Sequence, residues 1–559
     1  MITIFTDGQQ LDLDSNGTFE LTIDQPMLDD SHAPIPFSTS IGLLATPNNK
    51  KILGFLDAML LEPNVKRLPA DIFVGGFKIL SGILVYDGYE GGVLNYSFSG
   101  KNLEDDWNAK IWTQVNPDIS TIPAAYTNEE KLEFINAIKE GSHFLGAPIL
   151  VNQNAVAKTT FGLMADFTEQ VSPSVKYHNW PGTDDVIFTP VFRLNLILER
   201  ILKIITVDTL FSADFGMLAI IAQYKPDGHF NQIGIPLSGA YDCQNMLPDI
   251  SIYQMVQNLA KIYCAAIYRD GQQYRLIGAQ SILDSDAVLD WSEKISTDSY
   301  SLGKEAATSY ILKFNNSDED NVYDVSNLSE DLEAGDITTC QAFEDLIHNL
   351  GGIVNGEDTG PKAVRHAATR DIYSGRKQVF GRAHYLICSD ILYHHNPVIN
   401  TELGSAESSF DNSIDFNLVK CLPESYPKGD TCQYRMAPVI EAPTIGETRG
   451  SNVYIGIFAN NQLVDKGIYI NTAGEDTNLG VSLSPDSLFK KYHQAFADWL
   501  TQDRQTVTAS LNLSIKDIVS FRMFNKVRFA SRTWIVKKLT LTFSVDSDHV
   551  EATGEFISC

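Results

Sequence analysis

The alternation of apolar and polar residues is most regular near the end of the chain, where it predicts four strands. The four segments are TVTASLNLS, KVRFAS, TWIVKKLTLTFSV and HVEATGEFIS. A half-buried strand alternates with period two. In the third segment, apolar residues occupy odd-numbered positions: Ile535, Leu539, Leu541, Phe543 and Val545. Trp534 and Val536 occupy even-numbered positions, which are otherwise polar in this segment. We therefore expect this strand to be apolar on both faces near its start.

Exposing a large apolar side chain forgoes roughly 1.5–3 kcal/mol, so something must cover Trp534 and Val536. One source of cover is the chain's own helix, predicted in SPDSLFKKYHQAFADWL with Ser484 as its cap, through Phe496 and Trp499. The other source is a second subunit. The pattern leaves both open.

The N-terminal part also reads as β. MITIF and TFELTI (Thr18–Ile23) predict a hairpin about Asn16-Gly17. Between Asp71 and Gly100 we expect three strands, split by the dipeptides Gly75-Gly76, Asp87-Gly88 and Gly91-Gly92. Short strands at this spacing indicate a small barrel or sandwich.

An extended arm is predicted between these strands, from Ser31 to Phe55. Its prolines Pro34, Pro36 and Pro47 argue against a helix. Its apolar anchors are Ile35, Phe37 and Leu43.

Helical periodicity appears in the interior of the chain. NEEKLEFINAIKE (Asn128–Glu140) and the segment that starts VFRLNLILERILKIITVDT are helix candidates, the second with an apolar stripe from Leu194 to Ile205. A third helix follows Asp249 or Ser251 as cap, and a hairpin about Asp270-Gly271 comes after it.

From these patterns we predict an α+β, mainly β fold. It has two small tube-like β-barrel domains, an intervening α/β domain and polar insertions. The predicted divisions are a barrel with its arm at 1–120, an insertion at 121–190, a helix-plus-sheet domain at 191–330, a polar insertion domain at 331–480, and a helix with a closing barrel at 481–559. The two ends of the chain look like separate β units of similar size.

Charge narrows the possible partners. The 559 residues contain 70 acidic and 42 basic side chains, a formal net charge of −28. Such a surface repels phosphate backbones and anionic lipid, so specific nucleic-acid or membrane binding is not expected. It suits either an ordinary acidic protein or a surface past which nucleic acid slides.

Cysteine usage and the lack of a leader or membrane-spanning pattern point to the same cellular compartment. The seven cysteines are widely spaced without a C-x-x-C pair, which favours free thiols in a reducing cytosol. The start lacks a basic, then apolar, leader pattern, and no run of about 18 apolar residues occurs. We therefore expect synthesis in a cytoplasm and no membrane segment.

Candidate chemistry is sparse. HYLICSDILYHH holds His384, His394 and His395, but adjacent histidines on a strand point to opposite faces, so a polar or surface position is favoured over a metal site. Asp318, Asp320 and Asp324 lack the glycine and distal glutamate of a calcium loop.

Motifs of the common enzyme classes are also missing: G-x-S-x-G, Walker A, G-x-G-x-x-G and H-E-x-x-H do not occur. We predict no cofactor, no metal and no catalytic residue. A paired-carboxylate hydrolase stays an alternative, because many Asp and Glu residues are available.

The order of elements resembles the tail hub, or baseplate hub, proteins of tailed bacteriophages and related injection machines. The resemblance rests on ISIYQMVQNLAKIYCAAIYRDGQQYRLIG, LDWSEKISTDSYSLG and TSYILKFN, and on VTASLNLSIKDIVSFRMFNKVRFASRTWIVKKLTLTFS near the end. It covers about half of the chain, roughly 1–120, 245–315 and 481–559.

The resemblance implies a structural virion protein, assembled in the host cytoplasm. It would form a homotrimer at the distal end of the tail, line the DNA channel, and join the tail tube and distal tail proteins to a central spike or fibre. Aromatic and apolar residues are the candidate interface: Trp534, Val536, Phe37, Leu43, Phe496 and Trp499. The alternatives are a neighbouring component (a distal tail ring or receptor-binding protein) or a tail-associated polysaccharide or peptidoglycan hydrolase with its site in 340–480.

Overall fold

The computed structural model describes the chain in segments, and every structural statement below concerns these segments. They are residues 2–14, 18–33, 38–54, 67–100, 107–114, 121–123, 144–147, 150–152, 161–163, 170–171, 174–175, 189–194, 205–221, 240–242, 247–270, 273–317, 353–354, 357–358, 362–380, 383–401, 408–428, 431–441, 450–459, 462–471, 473–544 and 549–559. Strands dominate and helices are short, so the α+β, mainly β prediction is confirmed. In the described residues, no helix has the length and apolar character needed to span a bilayer.

An antiparallel sheet of six strands, here called the N-terminal sheet, is built from the first hundred residues. Its strands in spatial order are Gln9–Leu11, Ile2–Thr6, Arg67–Val74, Phe77–Glu90, Val93–Gly100 and Ser38–Leu44. The turns at Gly75-Gly76 and Gly91-Gly92 have positive φ, which glycine adopts without strain. Asp87-Gly88 was predicted as a third turn, but it lies inside the long strand, at a register shift between Tyr86 and Gly88.

The first hairpin differs from its prediction. Ile2–Thr6 pairs with Gln9–Leu11 across a tight turn at Asp7-Gly8, whose φ values are 48° and 75°. Thr18–Asp24 forms a strand as expected, but it pairs with Lys538–Ser544 at the other end of the sequence. Local turn signals favoured Asn16-Gly17, whereas the buried face of a distant sheet determined the pairing.

The arm is more ordered than predicted. Ser38–Leu44 is a strand, and Pro47–Leu53 is a helix capped by Thr46, whose side chain accepts a hydrogen bond from the Asn49 N–H. Pro47 occupies the first helical position, where its missing N–H costs nothing, so the inference that it prevents a helix was wrong.

A second sheet, the C-terminal sheet, gathers strands from both ends of the sequence. Its order is Val288–Asp290, Lys526–Phe529, Arg532–Ser544, His549–Ser558, Arg504–Ser514 and Ile295–Glu305, with Thr18–Asp24 beside the second half of Arg532–Ser544. The N-terminal part of the chain therefore contributes one strand to the C-terminal sheet.

The chain passes from one edge of the C-terminal sheet to the other through Trp291–Lys294. The Trp291 N–H donates to the Arg528 carbonyl, and the Asn512 N–H donates to the Lys294 carbonyl. The described hydrogen bonds of this sheet do not close a cylinder. Two barrel domains are thus not confirmed.

Helices and a hairpin pack beside the C-terminal sheet. Ile252–Ile262 begins with a capping box formed by Ser251 and Gln254, and its apolar residues Met255, Val256, Leu259 and Ile262 are buried. Strands Ala265–Asp270 and Gln273–Gly278 form the predicted hairpin, and helix Ala279–Asp284 follows. The strand Ser309–Phe314 runs parallel to Ser409–Ile414 and antiparallel to Ile399–Asn400.

The helical stretch near the C-terminus contains a π turn. Pro485–Leu488 and Gln494–Leu500 are α-helical, and Phe489–His493 between them is π-helical. The predicted cap, Ser484, accepts a hydrogen bond from the Ser487 N–H. The apolar residues Leu488, Tyr492, Phe496 and Trp499 of this stretch are buried.

The two predicted insertions contribute strands to shared sheets. Leu150–Asn152 pairs with Thr431–Glu441, and Phe144–Ala147 joins a sheet that contains Tyr454–Ala459. The other strands in these sheets are Phe161–Leu163, Lys420–Lys428, Thr189–Arg193, Leu218–Ile221, Asn417–Leu418 and Gln462–Val464.

A three-stranded sheet consists of Lys362–Arg365, Ile372–Phe380 and Ala383–Tyr393. The helix predicted from Val191 is a strand at its start, and its stretch 195–204 lies outside the described residues, as does the helix predicted at 128–140.

The remaining elements are short. They are Pro26–Leu28, Ile111–Gln114, Thr121–Pro123, Gln170–Val171, Ser174–Val175, Ile205–Val207, Ser212–Phe215, Ala240–Asp242, Ile353–Val354, Glu357–Asp358, Ile468–Ile470, Asp476–Asn478 and Ile515–Ser520.

Candidate assembly surface

A β-bulge at Lys537 decides which way Trp534 and Val536 point. Val536 faces Phe556 on the neighbouring strand and Lys538 faces the next residue along it, Glu555. Lys537 is therefore an extra residue without a partner in the strand pairing. Directly opposed residues share a face of the sheet. The pairs on one face are Trp534 with Ser558, Val536 with Phe556, Leu539 with Gly554 and Leu541 with Ala552. The strict alternation predicted from sequence was therefore wrong on the N-terminal side of Lys537.

This face is the apolar interior of the C-terminal sheet. The Trp534 ring stacks on Phe529 with ring centroids 5.2 Å apart, and Phe529 meets Phe556 edge-to-face at 4.9 Å. The Trp534 indole N–H donates to the Phe529 carbonyl at 3.3 Å. Trp291, on the connection between the two edge strands, also packs on Phe556. Trp534 is a core residue of its own subunit.

The opposite face carries Ile535 and Ile557, which face each other across the same two strands and are both buried. Helical segments reach this end of the sheet. The Trp499 indole donates to the Ser558 carbonyl at 3.0 Å, and the Lys526 ammonium donates to the Leu283 carbonyl at 2.9 Å. Within one chain, Trp534 and Val536 are thus covered by the inner face of their own sheet and not by the predicted helix, which reaches the end of the sheet that carries Ile535 and Ile557.

The six predicted interface residues are mostly inside the subunit. Leu43, Phe496 and Val536 have no exposed surface, and Trp534 and Trp499 are nearly as buried. Phe37 lies outside the described residues. A role of these residues in contacts between copies stays a prediction, but within one chain they present little area to a partner.

An exposed apolar edge appears instead on the strand Ile295–Glu305. Tyr300 is 60% exposed and Leu302 is 63% exposed. They face Ala509 and Val507 on the adjacent strand, and these two residues belong to the buried inner face. The apolar inner face of the C-terminal sheet therefore continues outwards by one strand, onto side chains that water contacts.

Within the described part of the chain, Ile295–Glu305 pairs only with Arg504–Ser514, which makes it an edge strand. Edge strands offer unpaired backbone groups to another chain. Its end is held in place by charge: Lys304 contacts Asp503 at 2.5 Å, and the Lys537 ammonium contacts Glu305 at 2.6 Å. The hydrogen bond from Lys304 lowers the pKa of the Asp503 carboxyl. We call Ser299–Lys304 the assembly edge.

Sequence reasoning did not single out the assembly edge, although its pattern was visible. In STDSYSLGKE, Tyr300 and Leu302 alternate with Ser299, Ser301 and Gly303. That pattern indicates one apolar face, which usually means burial. This face is uncovered because Ile295–Glu305 is the last strand of its sheet among the described residues.

A group of buried charged and polar side chains lies in the interior of the region predicted as a polar insertion. Asp371 and His394 flank a hairpin: Asp371 precedes the strand Ile372–Phe380, and His394 follows Ala383–Tyr393, whose Tyr393 is opposite Ile372. Asp465 and Lys466 follow the strand Gln462–Val464. We call Asp371, His394, Asp465 and Lys466 the buried charge cluster.

The side chains of the cluster lie close together and are buried. His394 Nδ1 lies 3.3 Å from Asp371 Oδ1, and His394 Nε2 lies 3.5 Å from Asp465 Oδ2. Lys466 Nζ lies 2.5 Å from Asp371 Oδ1 and 3.6 Å from Asp465 Oδ2. Each of these side chains is at most 5% exposed.

Charges in the cluster stabilise one another. Burial alone would raise the pKa of Asp371, but Lys466 and then His394 outweigh it and hold that pKa well below its usual range. Burial alone would lower the pKa of Lys466, and Asp371 and Asp465 raise it. Both groups are therefore ionised at neutral pH.

The histidine prediction is partly corrected here. His394 was expected at a polar or surface position, and it is buried. His395 is half-buried and lies 3.8 Å from Asp486. The side chain of His384 lies outside the described residues, as do Asp318, Asp320 and Asp324.

Comparison with known proteins yields only distant similarity. No protein-family model matches the chain, and no curated protein matches it. Among solved structures, the 43 kDa tail protein of prophage MuSo2 from Shewanella oneidensis is similar, with a TM-score of 0.32 and 6% identity over 99% of this chain and 97% of its own. The tail protein from Neisseria meningitidis MC58 has a TM-score of 0.33 and 9% identity over 100% of this chain and 96% of its own. TM-scores this low do not establish a common fold.

Proposed function

We propose that this chain is a structural protein of a bacteriophage tail, a trimeric hub at the distal end that joins the tail tube to a central spike or fibre. The observation that carries the proposal is the assembly edge. The inner apolar face of the C-terminal sheet extends onto Tyr300 and Leu302, and an apolar surface at an open strand edge favours pairing with a neighbouring chain.

Charge supports the same role. The formal net charge of −28 makes attraction between the surface and a DNA backbone weak, as the lining of a DNA channel requires. The partners we propose are other copies of this chain, the tail tube protein, the distal tail protein and the spike or fibre. The sequence resemblance to tail hubs, set out above, is the reason for choosing this assembly among those that use an open edge.

The mass of the particle in solution tests the trimer. We expect the full-length chain to sediment as a trimer and the Tyr300→Glu, Leu302→Lys double variant to sediment as a monomer, because charges placed on an apolar contact must be desolvated there. A matched control is Tyr89→Glu, which charges another exposed aromatic, 46% exposed, on the N-terminal sheet. It should stay trimeric.

A monomeric wild-type chain at high concentration, even when tail tube protein is added, would exclude the hub. A trimer that the double variant leaves intact would place the contact elsewhere. Cryo-electron microscopy of assembled particles tests the location: we expect three copies around the channel at the distal tail, and a peripheral position would favour a receptor-binding protein instead.

A further inference from the structure

We propose that Asp371, His394 and Asp465 form a binding site for a divalent transition-metal cation of the Zn²⁺ type. One ligand atom from each residue lies within 4.8 Å of the other two, and all three side chains are buried. Imidazole and carboxylate are ligands that Zn²⁺ and its neighbours accept, and three protein ligands leave a fourth position for water or another group. The inference is independent of the proposed tail function.

The spacing of the ligand atoms supports a metal more than direct hydrogen bonds. The His394 nitrogens lie 3.3 and 3.5 Å from the two carboxylates, which is long for a charged hydrogen bond. Ligands about 2.0–2.2 Å from a tetrahedral Zn²⁺ are separated from one another by about 3.4 Å. A metal uses only one imidazole nitrogen, so only one of these two distances is a spacing between ligand atoms, and the third ligand atom lies within 4.8 Å of the other two.

Asp465 supplies the second observation. Its Oδ2 atom is buried and accepts no hydrogen bond from the described residues. Its contacts are the two longer ones, with His394 Nε2 at 3.5 Å and Lys466 Nζ at 3.6 Å. A buried carboxylate oxygen without a donor is costly, and a cation bound to it removes that cost.

A cation already lies beside the carboxylates of this cluster: Lys466 Nζ contacts both Asp371 and Asp465. Lys466 already shows that the space beside Asp371 Oδ1 receives a cation. A divalent ion needs Lys466 to withdraw, and two carboxylates then neutralise the metal charge.

The surroundings hold the ligands in place. The Tyr373 hydroxyl donates to Asp371 Oδ2 at 3.1 Å, and the His395 N–H donates to Asp371 Oδ1 at 2.7 Å. After Asp465 and Lys466, Gly467 has a φ of 70°, and a Cβ at that position would lie 1.7 Å from the Val481 carbonyl oxygen. Only glycine lets the chain turn there, so the position of Asp465 is fixed by the backbone.

The sharpest test is Lys466→Met. This substitution removes the ammonium that competes with a metal and leaves two buried carboxylates together. In the full-length chain we expect Lys466→Met to bind Zn²⁺ about tenfold or more tightly than wild type, because one opposing charge is gone. Its melting temperature should rise by several degrees with equimolar Zn²⁺ and fall when a chelator is added.

Two variants serve as controls. Lys526→Met removes another buried lysine, which donates to a backbone carbonyl, and its melting temperature should respond to Zn²⁺ no more than that of the wild-type chain. His366→Ala removes a buried histidine that faces one carboxylate, Asp476 at 3.3 Å, and should leave metal content unchanged. His394→Ala and Asp465→Asn should lose the metal measured by mass spectrometry in chain refolded with Zn²⁺.

If Lys466→Met does not fold, the Co²⁺ absorption spectrum of the wild-type chain gives the answer: we expect visible d–d bands that His394→Ala abolishes. The proposal is overturned if wild-type chain takes up no metal at one equivalent and the melting temperature of Lys466→Met is the same with Zn²⁺ and with chelator.

Discussion

Trp534 and Leu539 point to the same side of one β-strand although they are five positions apart in the sequence. An odd separation places two residues of a regular strand on opposite sides. Lys537 adds one residue at a bulge, and the two side chains come together in the interior of the C-terminal sheet. The strand is thus apolar on both faces near its start for a local reason, and Ile535 is the residue that faces the other way.

Deleting Lys537 should preserve the fold. The deletion makes the strand regular, and Val536 and Lys538 keep their partners Phe556 and Glu555. It removes the hydrogen bond from the Gln25 N–H to the Lys537 carbonyl and the contact between Lys537 and Glu305, so we expect a loss of about 1–3 kcal/mol in the free energy of unfolding.

Deleting Thr540 is the matched control, because it lies in the regular part of the same strand and its removal turns every residue before it to the opposite face. That chain should not form a stable native state. Urea unfolding followed by tryptophan fluorescence measures both deletions, and equal losses would contradict the bulge assignment.

Trp534→Ala should destabilise the subunit itself. The ring fills space among Phe529, Phe556 and the inner face, so its removal should lower the free energy of unfolding by about 3–5 kcal/mol. Tyr300→Ala, at the assembly edge, should change the unfolding of the monomer by no more than about 0.5 kcal/mol. If the two substitutions had equal effects on the monomer, the division into core and edge would be wrong.

Gln25→Leu should be nearly as damaging as a cavity in the core. The Gln25 amide donates to the carbonyls of Met523 and Val536, and its oxygen accepts from the Tyr268 hydroxyl at 2.7 Å. Leucine leaves these buried groups unpaired, at about 1–3 kcal/mol for each group affected. Chemical denaturation checks the result against Gln10→Leu on the exposed side of its strand, which should be close to neutral.

Acid should destabilise the chain through two buried histidines. Burial lowers the pKa of His32 to about 4 and that of His493 to about 3, from an ordinary value near 6.5. His493 Nε2 lies 2.9 Å from the Ile262 carbonyl and its Nδ1 lies 2.6 Å from the Tyr310 hydroxyl, so the neutral ring is already paired.

The unfolded chain binds these protons first, because its histidines titrate near pH 6.5. Their contribution to stability is complete above that pH and declines as the pH falls from about 6.5 towards 4 for His32 and 3 for His493. Each proton adds about 1.4 kcal/mol per pH unit to the slope of the unfolding free energy. Urea titrations from pH 7.5 to 4.5 measure that slope, and His493→Gln should reduce it; an unchanged slope would contradict the assignment.

Local elements were predictable because their signals are short-range. The capping box at Ser251 and Gln254, the proline start of the helix at Pro485 and the turns at Gly75-Gly76 and Gly91-Gly92 depend on a few adjacent residues. The same local reasoning failed at Pro47, where the proline begins a helix, and at Lys537, where one extra residue shifts the face of a strand. A bulge cannot be recognised without the neighbouring strand, whereas the Thr46-Pro47 helix start has a local signal that the proline argument overlooked.

The candidate sites were less predictable than the elements. His394 was noticed as a residue type, but its partners Asp371 and Asp465 are 23 residues before it and 71 residues after it, and only folding brings them together. Tyr300 and Leu302 showed the right alternation, yet their exposure depends on Ile295–Glu305 being the last strand in its sheet.

By itself, the sequence determined the mainly β character, the amphipathic helix faces and the acidic surface, since each depends on composition or on periodicity within a few turns or strands. Tertiary structure decided the rest: the pairing of Thr18–Asp24 with Lys538–Ser544, the face on which Trp534 lies, the open edge at Tyr300 and the buried charges around His394. These depend on which distant strands compete successfully for the same hydrogen bonds and the same apolar surface. No local pattern records the result of that competition.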